Sequence, residues 1–246
     1  MHSIPSAVLE ELAPQGVLRA AINLGNPVLA QVGLGGKPQG VSVDLAAALA
    51  GELGVALELV TYDAAGKVFA ELDSGTWALA FMAIEPVRAA QIAFSEPYAI
   101  IEGTYLVAND APYHEVAQLD RPEVRIAVGK GAAYDLFLSR TLQQAQLVRA
   151  GTSAEAITLF LAQGLEAAAG VRQPLLAAAA ANPGLRVLEG HFTAIRQAMA
   201  VPRHKTQGAA YVNAFIERCK ANGLVKAALQ RSGQGDVTVA PPAASA

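Results

Sequence analysis

Residues 84–98 run Ile-Glu-Pro-Val-Arg-Ala-Ala-Gln-Ile-Ala-Phe-Ser-Glu-Pro-Tyr and follow directly on an apolar strand pattern at residues 77–84. Pro86 ends the strand and suits the first position of a short helix, where its missing N–H would have had no partner anyway. Arg88 then falls in the first helical turn. A planar guanidinium just beyond the carboxyl end of a strand is placed to grip a carboxylate through two parallel hydrogen bonds. The plainer alternative is a surface arginine paired with Glu85, three residues earlier. The pattern on either side of the segment favours the first reading.

Working outward, strand and helix patterns alternate along the chain. Upstream, residues 18–23 read as a strand, 44–53 as a helix closed by Gly54 in a left-handed cap, 55–61 as a strand and 67–72 as a helix. Downstream, a strand at 103–108 leads into a break at Asn109-Asp110-Ala111-Pro112. A second alternating set follows, with strands at 124–128, 146–149, 166–170, 185–188 and 195–201 and helices at 132–142, 153–163 and 173–181. One or two helices at 208–230 close the chain. Strands alternating with helices of about ten residues imply parallel βαβ units. The fold class is therefore α/β, with two α/β lobes. Residues 1–107 and 196–232 are assigned to lobe one, 108–195 to lobe two, and 233–246, which lack periodicity, to a disordered tail.

Composition excludes several classes. The chain has 246 residues, 53% of them hydrophobic and only 16% charged, so a membrane protein must be considered. Asp44 and Glu52 interrupt the apolar run at 43–53, and Asn, Pro and Gly break the uncharged run at 20–36. No stretch of about 20 apolar residues remains to insert in a bilayer. A net charge of −3 without a basic cluster argues against nucleic acid. The single Cys219 excludes an internal disulfide. The opening Met1-His2-Ser3-Ile4-Pro5 lacks a basic region followed by an apolar core, so no secretory signal is read there, and 6–12 reads as a short helix.

Four segments together resemble the periplasmic solute-binding proteins of family 3, which serve polar amino-acid ABC transporters. They are Gly16-Val17-Leu18-Arg19, Gly40-Val41-Ser42-Val43-Asp44-Leu45, the Pro86-to-Tyr98 segment and Val128-Gly129-Lys130-Gly131. The resemblance spans residues 16–231. It implies a two-lobed type II periplasmic-binding-protein fold joined by two crossover strands, here near 104–108 and 195–201. It also implies capture of a small carboxylate-bearing solute in the interlobe cleft, closure around it, and delivery to an ABC permease, with the protein a monomer and no cofactor. The expected compartment is the periplasm, although the missing export signal leaves the cytoplasm open. Arg88 would clamp the carboxylate. Asn23, Asn26, Met82, Ala83, Ile84 and Glu85 would line lobe one, and the backbone N–H groups of Gly131, Ala132 and Ala133 would receive the anion in lobe two. Lys130 is read as a charge at the cleft or a solvated turn residue, and Asn26 equally as a turn residue.

The departures from the family pattern bear on the solute. Positions that usually carry hydroxyls fall on Ala83 and Ala133, and those of an aromatic pair on Asn26 and Ala65. The acidic residue that receives the ligand's ammonium falls on Val171, followed by Arg172. A buried ammonium without a carboxylate partner costs several kcal/mol. An acid lacking the amine is therefore the expected solute, unless Glu85 or Glu102 restores the charge.

Other motifs fail. Gly33-Leu34-Gly35-Gly36-Lys37 hints at a phosphate loop, but Pro38 stands where a Ser or Thr would hold magnesium, so a hairpin is read. His2, His114, His191 and His204 have no metal-ligand spacing. Cys219 and Trp77 read as core. Two rival functions stay open. One is a prephenate or arogenate dehydratase-like enzyme using Glu85, Glu102 or Lys130 as general acid. The other is a soluble ligand sensor.

Overall fold

The computed structural model describes residues 4–244, so His2 lies outside the described residues. Helix α1 (Ser6–Leu12) precedes β1 (Val17–Asn23), a short hairpin of β2 (Gln31–Val32) and β3 (Pro38–Gln39), α2 (Val41–Leu53), β4 (Ala56–Tyr62), α3 (Ala65–Ala70), β5 (Leu79–Ala83), α4 (Pro86–Ala89) and the long β6 (Ile92–Ala108). There follow β7 (Arg125–Gly129), α5 (Ala133–Thr141), β8 (Gln146–Ala150), α6 (Ser153–Gln163), β9 (Ala167–Val171), α7 (Arg172–Ala181) and β10 (Leu185–Val187). The chain then returns through β11 (Thr193–Pro202), α8 (Thr206–Ala221), α9 (Leu224–Arg231) and β12 (Thr238–Val239).

In α2, Val41, Leu45, Leu49 and Leu53 recur every fourth residue and are all buried, so one face of the helix seals the sheet. Each such leucine contributes about 1.5–3 kcal/mol by leaving water. The helix begins at Gly40, whose φ is +122° and where a Cβ would stand 2.6 Å from the Leu29 carbonyl oxygen. Gly40→Ala is expected to cost about 1–3 kcal/mol through that strain. The melting temperature should fall by about 2–4 °C for each kcal/mol in a chain of this size. An unchanged thermal melt would show that the loop before α2 relaxes freely.

The strand order is β4-β1-β5-β11-β6-β9-β7-β8, with β10 and β12 also paired to β6. Strands β4, β1 and β5 are mutually parallel and form the sheet of lobe one; β9, β7 and β8 are mutually parallel and form that of lobe two. All five residues of β5 are buried, as expected of a strand covered on both faces. The antiparallel pair β6 and β11 runs through both lobes.

The expected crossover at 104–108 is corrected. Gly103–Leu106 already pair with β9, and Leu106–Ala108 with β10, so that stretch belongs to lobe two. The crossover lies upstream, where Ala99–Gly103 pair with Thr193–Gln197. Only residues 103–108 of β6 read as a strand in the sequence, because Glu96 and Pro97 upstream are poor strand residues. The ladder accommodates Pro97 at register shifts flanking Ala198, the kind of irregularity in which a strand proline is tolerated.

The disordered tail is corrected too. Thr238 and Val239 pair with Ile100 and Ala99 of β6, and Val237 and Ala240 are buried. Lys220 Nζ donates to the Pro97 and Pro241 carbonyl oxygens at 3.1 and 2.8 Å. The tail has no periodicity of its own. It is ordered by a free strand edge more than a hundred residues earlier.

Candidate functional site

The carboxyl ends of β1, β4, β5, β7, β8 and β9 converge on one cavity of about 380 Å³ between the lobes, where open α/β sheets bind their ligands. Asn23 and Ala83 are the last residues of β1 and β5, Gly129 and Val171 those of β7 and β9, and all four line it.

Arg88, on α4, lines the cavity and is only 1% exposed. Its Nη1 donates to the Ala83 carbonyl oxygen at 3.2 Å and its Nη2 to the Gly131 carbonyl oxygen at 2.7 Å, so the guanidinium ties lobe one to lobe two. Among the described residues no carboxylate lies within ion-pair distance of it. Burial pulls its pKa down to about 10, opposed by the more distant charge of Glu85, and at neutral pH it remains a cation. A buried cation whose hydrogen-bond partners are carbonyl oxygens carries a desolvation cost that no counter-charge offsets.

Asn23, Asn26, Met82, Ala83, Ala132, Ala133 and Val171 line the cavity with Arg88, as does Lys130. Asn23 Oδ1 accepts from Gly25 N at 2.9 Å and Asn26 Oδ1 from Val28 N at 3.3 Å. Both are thus turn residues whose NH₂ groups remain as donors. Ile84, Glu85 and Gly131 do not line it. Ile84 follows the last residue of β5, and its N–H donates to the Arg196 carbonyl oxygen of β11. Gly131 N donates to Asp135 Oδ2 at 2.8 Å and Ala132 N to Gly129 O at 3.1 Å, so neither N–H is free for a ligand. Helix α5 has no side-chain cap, and Ala133 supplies its first N–H at the cavity wall.

Both candidate acids are engaged elsewhere. Glu85 Oε2 meets Arg140 Nη1 of α5 at 2.5 Å, a pair that spans the lobes. Glu102 pairs with Arg172, and with His191 Nδ1 at 3.3 Å, outside the cavity. These partners lie far along the chain, so no local spacing could signal them.

Sequence patterns missed Asp63, Tyr134, Thr152, Ser153 and Gln197 at the cavity. Asp63 is the carboxylate on its wall, with its side chain 60% exposed and already paired to Lys67 at 2.7 Å. Tyr134 Oη donates to Ser153 Oγ at 2.7 Å beside the start of α6. The backbones of the two lobes also meet at Gly66 and Gly131, where a Cβ on Gly131 would stand 3.1 Å from Gly66 Cα.

A two-lobed α/β chain with a buried arginine in the interlobe cavity matches the profile of the bacterial extracellular solute-binding proteins, family 3, over residues 18–234. The chain belongs to this family. Among solved structures it is similar to the solute receptor for L-cysteine of Neisseria gonorrhoeae, at 26% identity over 92% of each chain and a TM-score of 0.80. An ancestral amino acid-binding protein described as a precursor of cyclohexadienyl dehydratase is 25% identical, over 91% of this chain and 98% of that one, at a TM-score of 0.76. An amino acid ABC transporter substrate-binding protein from Streptococcus pneumoniae bound to L-arginine shares the fold, at 24% identity over 95% of this chain and 99% of that one, with a TM-score of 0.78. No curated protein matches. Among the described residues no helix is long and apolar enough to cross a membrane.

Proposed function

We propose that this family 3 protein captures a small carboxylate-bearing solute without an α-amine, closes around it, and presents it to an ABC permease as an extracytoplasmic monomer. One observation carries the reading: Arg88 is buried at the cavity as a cation whose contacts are carbonyl oxygens. A carboxylate would complete it with charge-assisted hydrogen bonds. The apolar Val171 and the engagement of Glu85 and Glu102 elsewhere support an amine-free acid. The same engagement leaves a dehydratase-like mechanism without its expected carboxylic acid. A second reading, an ordinary amino acid whose ammonium meets Asp63 at the rim, is favoured by that carboxylate alone.

Thermal shift on protein unfolded and refolded to strip any solute tests both. A ligand at 100 times its dissociation constant adds about 2.7 kcal/mol of stability. Stabilisation by amine-free acids alone supports the first reading. Stabilisation by amino acids alone supports the second.

Closure rests partly on the Glu85–Arg140 pair. Without Arg140, the Glu85 carboxylate stays buried and alone in the closed form, whereas lobe opening would hydrate it. Arg140→Ala is therefore expected to favour the open form and to weaken solute binding about threefold to thirtyfold without touching the solute. Equal affinities by calorimetry would remove the pair from the closing equilibrium.

A further inference from the structure

Gln197 is a polar side chain at the cavity that makes no hydrogen bond to another described residue. It lies on β11, is 3% exposed, and faces the cavity. A carboxamide carries two N–H donors and a carbonyl oxygen with two lone pairs, and proteins seldom bury one without partners.

The register gives the position meaning. Gln197 is the cross-strand partner of Ala83. Directly opposed side chains on one face of an antiparallel pair have Cβ atoms about 4.5–5.5 Å apart. The carboxamide therefore stands over the methyl of Ala83, and the Ala83 carbonyl oxygen is the group that anchors Arg88 Nη1. Any acid held by Arg88 brings its C2 substituent to the neighbourhood of Gln197. The β11 neighbour on the same face, Ile195, is apolar, as is Val171 on the lobe-two wall.

A neutral carboxamide cannot balance an ammonium, but its carbonyl oxygen accepts from a hydroxyl and its NH₂ donates to one. We propose that Gln197 recognises the C2 hydroxyl of the solute, so that the ligand class is the 2-hydroxy carboxylates. This rests on the carboxylate reading above and narrows it. A site that hydrogen-bonds a substrate hydroxyl rejects the analogue lacking it, because its buried polar group is then left without a partner.

Three acids that differ only at C2 test the proposal by titration calorimetry on stripped protein: 2-hydroxy-4-methylpentanoate, 4-methylpentanoate and leucine. The wild-type chain should bind the hydroxy acid at least about tenfold tighter than either of the others. Gln197→Leu and Gln197→Met should erase that preference, weakening the hydroxy acid and strengthening 4-methylpentanoate, which then leaves no carboxamide without a partner; their thermal melts report that they are folded. The wild-type comparison needs no variant, so a missing preference overturns the proposal even where a variant misfolds. Equal binding of the hydroxy and deoxy acids, tightest binding of leucine, or a preference that survives in both variants overturns the proposal. Arg88→Ala separates the two levels. Acid binding that needs Arg88 but ignores Gln197 overturns the hydroxyl assignment alone. Absence of binding by all three acids, or acid binding indifferent to Arg88, overturns the carboxylate reading and this proposal with it.

Discussion

Arg88→Ala should weaken binding of a carboxylate solute about a hundredfold or more. Truncating one partner of a buried, hydrogen-bonded charge pair typically costs about 2–5 kcal/mol, and the other cation on the cavity wall, Lys130, belongs to lobe two. The variant should nevertheless fold. Arg88 makes two hydrogen bonds, to Ala83 and Gly131. Their loss is offset by removal of a desolvated cation that lacks a counter-charge when the site is empty. Arg88→Lys is the informative companion. It keeps the charge but loses the planar fork, so it should fall between wild type and alanine. Calorimetry of an acid found by the thermal-shift screen checks both. An affinity unchanged in Arg88→Ala would take the residue out of the site.

Val171→Asp should reverse the solute preference. Val171 is 9% exposed at the cavity and occupies the N-cap position of α7, which has no side-chain cap. An aspartate there gives an α-ammonium the carboxylate it lacks, and it repels amine-free acids. Affinity for amino acids should rise about tenfold or more, and that for amine-free acids should fall, so the two series cross. The new residue is also a favoured N-cap, worth about 1 kcal/mol where its side chain accepts a helix N–H. Stability and selectivity can be separated by melting the empty variant. If amino acids bind Val171→Asp no better than wild type, the argument from this position fails.

How much of this was legible from the chain depends on the distance over which each feature is encoded. The end of β5, Pro86 and Arg88 lie within a few residues of one another, and there local pattern led to a buried guanidinium at a cleft. Gly54 capping α2 in a left-handed conformation is equally local. Gln197 was not legible, because a single glutamine in an apolar strand looks the same whether it faces solvent or a cavity. Glu85 looked like a cleft acid until its partner was found on α5, 55 residues away and in the other lobe. Asp63 follows β4 in what reads as an ordinary turn. Its place on the cavity wall is set by where the two lobes meet, which no periodicity of 2 or 3.6 residues describes. The long strand β6 failed for a different reason. Its proline is accommodated because β6 itself carries an extra residue at the register shifts on either side of the Pro97–Ala198 pair.

The C-terminal strand has a consequence for anyone handling the protein. Residues 233–246 look dispensable, and a shortened chain ending at α9 would be a natural choice for crystallisation or display. Ala99 and Ile100, however, have β11 on one side and β12 on the other. Removing β12 bares a row of unpaired N–H and C=O groups beside apolar side chains, the kind of edge that recruits another chain. Trimmed protein should therefore be prone to dimerise or aggregate through β6, and the lost material would be mistaken for a loss of affinity.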